Sequence, residues 1–102
     1  MANSKNTLWM VSCVQWTITP KGESDINYCD SRGYRSENYA RARYKAVLNY
    51  YKEAGYSIHE IATNEDDVYE GIRARRSKVV NGTRIVSHAV LYIDRNPVWD
   101  PR

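Results

Sequence analysis

The sequence predicts an α+β domain, an antiparallel sheet of about four strands with one long helix packed on one face. Three observations carry that expectation. Residues 8–19 alternate in polarity and are rich in β-branched and aromatic side chains, the composition of a pleated strand. Residues 36–55 place apolar side chains at helical spacing between an N-capping serine and a terminating glycine. Asn81-Gly82 stands between two apolar runs, and both residues tolerate the positive φ that a type I′ hairpin turn requires.

In the first strand Leu8, Met10, Val14, Trp16 and Ile18 share one face. The other face carries Trp9, Val11 and Cys13 before turning polar at Gln15, Thr17 and Thr19, so it reads as half covered; Pro20 and Gly22 end the strand. Residues 21–35 are polar and fit either a short strand around Ile26–Cys29 or plain loop.

Ser36 then caps a helix, with Glu37 in the first turn where a carboxylate meets the positive end of the helix dipole. The helix should run to about Ala54 and stop at Gly55. Ala40, Tyr44, Val47, Leu48 and Tyr51 form one buried stripe, and Arg41, Lys45, Asn49 and Lys52 form a basic ridge opposite. Glu37 and Arg41 are an i, i+4 pair.

Residues 56–62 read as a strand. Two readings compete beyond it. Either Asn64 caps a second helix through Arg76, or a strand from Asp67 to Val80 folds back at Asn81-Gly82 onto Thr83–Ile93. Gly71 would cost a helix interior about 1 kcal/mol, so the hairpin is preferred, with a bulge near Gly71. Alternation in the last strand slips near Ser87-His88, and residues 95–102, with Pro97 and Pro101, read as an extended tail whose Trp99 docks on the body.

A chain of 102 residues is one domain with a modest core, and 42% apolar with 26% charged residues fits a globular protein rather than a disordered one. No apolar run approaches the roughly 18–20 residues of a membrane helix, so no membrane partner is expected. The apolar stretch near the N-terminus is short and broken by Ser12 and Gln15, unlike a secretory signal. The cytoplasm is therefore the expected compartment, with Cys13 and Cys29 as free thiols and Asn81-Gly82-Thr83 as a turn rather than a glycosylation site.

Catalytic motifs are missing: no Gly-rich phosphate loop, nucleophile elbow or paired-cysteine zinc pattern occurs. His59 and Glu60, with Asp66, Asp67 and His88, offer the donors of a hard divalent cation. Adjacent strand residues point to opposite faces, however, which sets His59 and Glu60 apart. Neither a metal nor another cofactor is expected. Cys13 beside His59 or His88 would make a nucleophile and base, but a cysteine in an apolar strand is buried and inert. A small hydrolase with a His/carboxylate site is thus the last of three functional readings.

Binding is the first. All twelve aromatic residues (nine tyrosines and three tryptophans) carry a polar tip, and there is no phenylalanine. Such rings supply contact area at low entropic cost. Charge falls in blocks: six bases against Glu37 alone from Arg32 to Lys52, six acids and no base from Glu53 to Glu70, and five bases and no acid from Gly71 to Val86. The candidate partner-binding residues are Tyr34, Arg35, Tyr39, Arg41, Lys45, Tyr50, Arg73, Arg75, Arg76 and Lys78. They point to a small non-enzymatic protein that occupies a macromolecular partner's surface through Tyr and Arg anchors. A protein partner is the first expectation; the profile fits a phage or mobile-element inhibitor of a host nucleic-acid machine. The second reading is nucleic-acid binding by the basic hairpin and the helix ridge. Arg73 and Arg75 would project to one side of the hairpin, and Arg76 and Lys78 to the other. Cations on an edge strand also discourage aggregation, while an exposed edge would permit a homodimer.

Overall fold

The computed structural model describes residues 7–22, 24–61 and 70–97. Five strands and one helix follow in the order β1 (Thr7–Ile18), β2 (Ser24–Tyr34), α1 (Glu37–Glu53), β3 (Ser57–Ile61), β4 (Glu70–Val80) and β5 (Thr83–Pro97). The strands form one antiparallel sheet in the order β2-β1-β5-β4-β3. The fold is α+β.

That order explains the helix. β2 and β3 are opposite edges, so the segment joining them must cross the sheet. The 17 residues of α1 span about 25 Å, and five strands are about 19 Å wide from first to last. One helix therefore suffices to bridge the sheet and covers a single face. Ser36 caps it as expected, in extended conformation with its hydroxyl accepting from Tyr39 N at 3.4 Å. Gly55, at φ +86°, turns the chain out of the helix.

The core lies between α1 and the sheet. Trp9, Val11 and Cys13 of β1, Ala89, Leu91 and Ile93 of β5, and Ile72 and Ala74 of β4 meet Ala40 and Tyr51 of the helix and Tyr56 just beyond it. Alanine at positions 40, 74 and 89, each at most 1% exposed, lets the helix backbone sit close to the strands. The helical stripe is the expected one, with Tyr44, Val47 and Leu48 packed around the buried residues.

Several expectations need correction. The sheet's five strands are close to the expected four or so, and the added one is residues 24–34, a full strand where a short strand or plain loop was expected. Their polarity hid it: β2 is an edge strand exposed along most of its length, so no alternation was imposed on it. Pairing passes through Gly71 without irregularity, Gly71 opposing Tyr92 on one side and Ile61 on the other. The bulge lies at Asn27 instead, where Gln15 opposes Tyr28 and Trp16 opposes Ile26; Thr17 Oγ1 hydrogen-bonds the Asn27 side-chain oxygen there. Register also holds at Ser87 and His88. The polarity changes because Ser87, opposite Thr17, no longer faces the apolar core. β5 continues through Pro97, paired with Thr7, so residues 95–97 are strand rather than tail. The strand reading of the segment before the hairpin holds over residues 70–80, and Asn81 (φ 53°) and Gly82 (φ 79°) make the turn. Residues 64–69, including Asp66 and Asp67, and Trp99 lie outside the described residues.

The largest departure concerns β1. Its Leu8, Met10, Val14, Trp16 and Ile18 face, the more apolar one, is not the face beneath the helix. The helix covers Trp9, Val11 and Cys13, and among the described residues no element packs on the other side.

A candidate binding surface on the open face of the sheet

Register fixes what the open face presents, since directly opposed residues point the same way. One row across the sheet reads Ile26, Trp16, His88, Arg75 and Ser57. The next reads Cys29, Val14, Val90, Arg73 and His59. Adjacent members of a row are about 4.8 Å apart and the two rows about 7 Å apart. Ile18 opposite Val86, and Tyr92 opposite Ser12, extend the surface along β1 and β5.

The middle of this surface is apolar and aromatic. Leu8, Met10, Val14, Trp16, Ile18, Val86, Val90 and Tyr92 are all half-buried, and Ile26 is 71% exposed. Trp16 and His88 stack with ring centroids 5.5 Å apart and planes 15° from parallel. Gly33 lies under Leu8 and Met10, where an added Cβ would come within 2.8 Å of Leu8 Cδ2 and 3.2 Å of Met10 Sδ. Beside the stacked rings, Trp16, His59, Arg73, Arg75, His88 and Val90 help line a cleft of about 200 Å³.

Charge is sorted between the two faces. By register the strand carboxylates Asp25, Asp30, Glu60 and Glu70 point to the helix side, whereas Arg73, Arg75 and Arg84 point to the open side. Asp94, opposite Met10, is the one strand carboxylate on the open side among the described residues. It stands six residues along β5 from His88, about 20 Å away.

The ten residues singled out in the sequence do not form one surface. Arg73 and Arg75 are exposed on the open face, and Arg76 and Lys78 point to the helix side, the division that alternation requires. Arg76 Nη1 donates to Ala54 O at 2.8 Å and its guanidinium lies 4.7 Å from the Tyr56 ring centroid. It closes the helix C-terminus and is engaged inside the fold. Arg41 donates to Glu37 Oε2 at 2.7 Å and to Glu70 Oε1 at 2.8 Å, and lies 5.7 Å from the Trp9 ring centroid. Its hydrogen bonds to Glu37 and then Glu70 push its pKa up. Tyr34 is half-buried against the core, and Arg35 is exposed between β2 and α1. Tyr39, Lys45 and Tyr50 lie outward on the helix, Tyr39 73% and Tyr50 63% exposed.

Apolar alternation marks a face without saying what covers it, so the sequence alone does not separate the open face from core. The partial signal is that one helix covers one face, yet β1 is apolar on both, and Val86, Val90 and Tyr92 alternate to match it.

The chemistry available elsewhere is limited. Cys13 is buried, and desolvation pushes its thiol pKa up, which suppresses the thiolate. His59 and Glu60 point to opposite faces of β3, and among the described residues no three His, Cys, Asp or Glu side chains gather as a metal site. Among these residues no helix is long and apolar enough to cross a membrane. A larger cleft of about 440 Å³ lies between α1 and the β1–β2 hairpin, lined by Gln15, Tyr28, Arg43, Val47, Tyr50 and Tyr51 among others. Its single cation, Arg43, sits 3.7 Å from the Asp30 carboxylate. Comparison with protein-family models, curated proteins and solved structures found no match.

Proposed function

We propose that the protein is a small non-enzymatic binding module that occupies a surface of a macromolecular partner with the open face of its sheet. One observation carries the reading. A continuous stripe of Leu8, Met10, Val14, Trp16, Ile18, Val86, Val90 and Tyr92 stands without a covering element among the described residues, and an apolar patch of that kind on a small domain marks an interaction site. The buried, neutral thiol of Cys13 and the divergent His59 and Glu60 favour binding over catalysis.

The test compares captures from a lysate, analysed for protein and nucleic acid together, on three immobilised proteins: wild type, Val90→Glu on the open face, and Tyr39→Ala/Tyr50→Ala on the helix. Wild type and the helix variant should retain the same stoichiometric macromolecule, and Val90→Glu, folded by circular dichroism, should lose most of it. Equal retention by folded Val90→Glu refutes the reading.

A further inference from the structure

We infer that the occupant of the open face is single-stranded nucleic acid, its bases stacked on the Trp16–His88 pair and its phosphates held by Arg75 and Arg73. The inference rests on the binding-module reading and narrows it to one ligand chemistry.

Three features of the face converge. First, it offers ring faces. Trp16 and His88 are already stacked nearly parallel across β1 and β5, so a base continues an existing stack, with exposed Ile26 beyond Trp16 in the same row. Every base has such a face, which makes aromatic platforms tolerant of sequence. Second, cations follow the rings in register. Arg75 is next after His88, and Arg73 and His59 stand side by side in the adjacent row. From Trp16 to Arg75 is two strand spacings, about 10 Å, a distance that a nucleotide bridges from base to backbone. Third, four of the five strand carboxylates among the described residues are on the wrong side to interfere, and the fifth, Asp94, stands four residues beyond Val90 along β5, about 13 Å from the Arg73 row. Asp25, Asp30, Glu60 and Glu70 point to the helix face, and Arg84 adds a third cation toward the hairpin tip on the open face.

The geometry also selects strandedness. A sheet presents a broad surface whose rings lie within the pleated rows, and in a duplex the base faces are occupied by neighbouring bases. Only an unpaired strand can splay bases onto the rings. An acidic protein segment would satisfy the arginines but would leave the stacked pair without a planar partner.

The measurement is fluorescence anisotropy of a labelled, mixed-sequence 12-nucleotide single strand, as DNA and as RNA, against the same DNA sequence as a duplex. The single strand should bind more tightly than the duplex. Its affinity should fall about tenfold between 50 and 200 mM salt, the loss expected when two or three phosphates are neutralised on a single strand. Arg75→Ala, a change at an exposed residue that leaves the core intact, should weaken binding several-fold and lower the log–log salt slope by about 0.7. Trp16→Leu should cost about tenfold through lost stacking, with little change in that slope. Reversing Lys45 and Lys52 to Glu on the helix should leave affinity within about twofold. Equal affinity for the duplex, an equal loss in the helix reversal, or no binding at 50 mM salt overturns the inference. If no nucleic acid binds while Val90→Glu still strips a protein from the lysate capture, this inference falls and the binding-module reading stands. If the capture is also indifferent to Val90→Glu, both fall.

Discussion

Replacing Tyr51 by Phe tests why even the core of this protein is built with a polar-tipped ring. Tyr51 is 2% exposed, and its hydroxyl lies 3.0 Å from Gln15 Oε1 and 3.2 Å from Cys13 Sγ. The hydroxyl donates to Gln15, which leaves the thiol to donate to the tyrosine oxygen. Its ring meets Tyr50 and Tyr56 edge-on, with centroids 5.3 and 5.0 Å away, and phenylalanine would keep those contacts. The loss is confined to two hydrogen bonds. Gln15 is half-buried and can recover water, and a thiol is a weak donor, so the cost should be about 1–2 kcal/mol. In a domain of this size that lowers the melting temperature by about 5–10 °C. Alkali supplies a second signature. Burial, and then the hydrogen bond with Cys13, push the Tyr51 pKa above the ordinary tyrosine range. The unfolded chain therefore gives up this proton near pH 10 while the folded chain keeps it. Stability from this group is complete below pH 10 and then declines by about 1.4 kcal/mol per pH unit. The Phe variant has no such proton, so the two stabilities should converge near pH 11. Burial raises the Cys13 thiol pKa as well, but the loss of stability that this brings in alkali is present in both proteins. Urea unfolding followed by circular dichroism at pH 8, 10 and 11 measures the difference. A gap under about 0.5 kcal/mol at pH 8, or one that stays constant to pH 11, would refute the reasoning about the buried hydroxyl.

Two further substitutions probe the helix C-terminus. Arg76→Met removes the bond to Ala54 O and the guanidinium over Tyr56. It also removes an Nε that is buried without a partner. These effects partly offset, so destabilisation of about 1 kcal/mol is expected in thermal unfolding; a loss above about 3 kcal/mol would show a larger role. Gly55→Ala meets nothing within 4 Å but must hold φ at +86°. Its cost is backbone strain alone, about 1–2 kcal/mol by urea titration, and an unchanged midpoint would contradict that origin.

Those elements also show what the sequence could reveal. Local chemistry was legible wherever one residue type answered one geometric need: Ser36 at the cap, Gly55 past the end, and Asn81-Gly82 with both φ positive. The helix stripe was legible because a single buried face imposes a period. β2 was not, because an edge strand exposed along most of its length carries no periodic constraint. The open face was half legible. Its apolar alternation stood in Leu8, Met10, Val14, Trp16 and Ile18, but periodicity reports that a face is apolar and not what covers it. Strand order supplies that, and strand order depends on pairings between residues as far apart as Trp16 and His88. The same pairings bring Arg75 to His88 and Arg73 to His59, which sets the two arginines in adjacent rows beside the aromatic pair. By contrast the tyrosine-rich stretch around the helix, the most conspicuous feature of the composition, is divided between the core (Tyr44, Tyr51, Tyr56) and the outer helix surface (Tyr39, Tyr50).

A chemical-shift map of the isotope-labelled protein titrated with the unlabelled 12-nucleotide single strand locates the working surface without any substitution. Shifts should concentrate on the Trp16 indole, on the backbone amides of Arg73, Arg75, His88 and Val90, and on Ile26. The amides of Tyr39, Lys45 and Tyr50 should stay in place. Shifts confined to the outer face of α1, or none at saturating strand, would contradict the assignment of the open face.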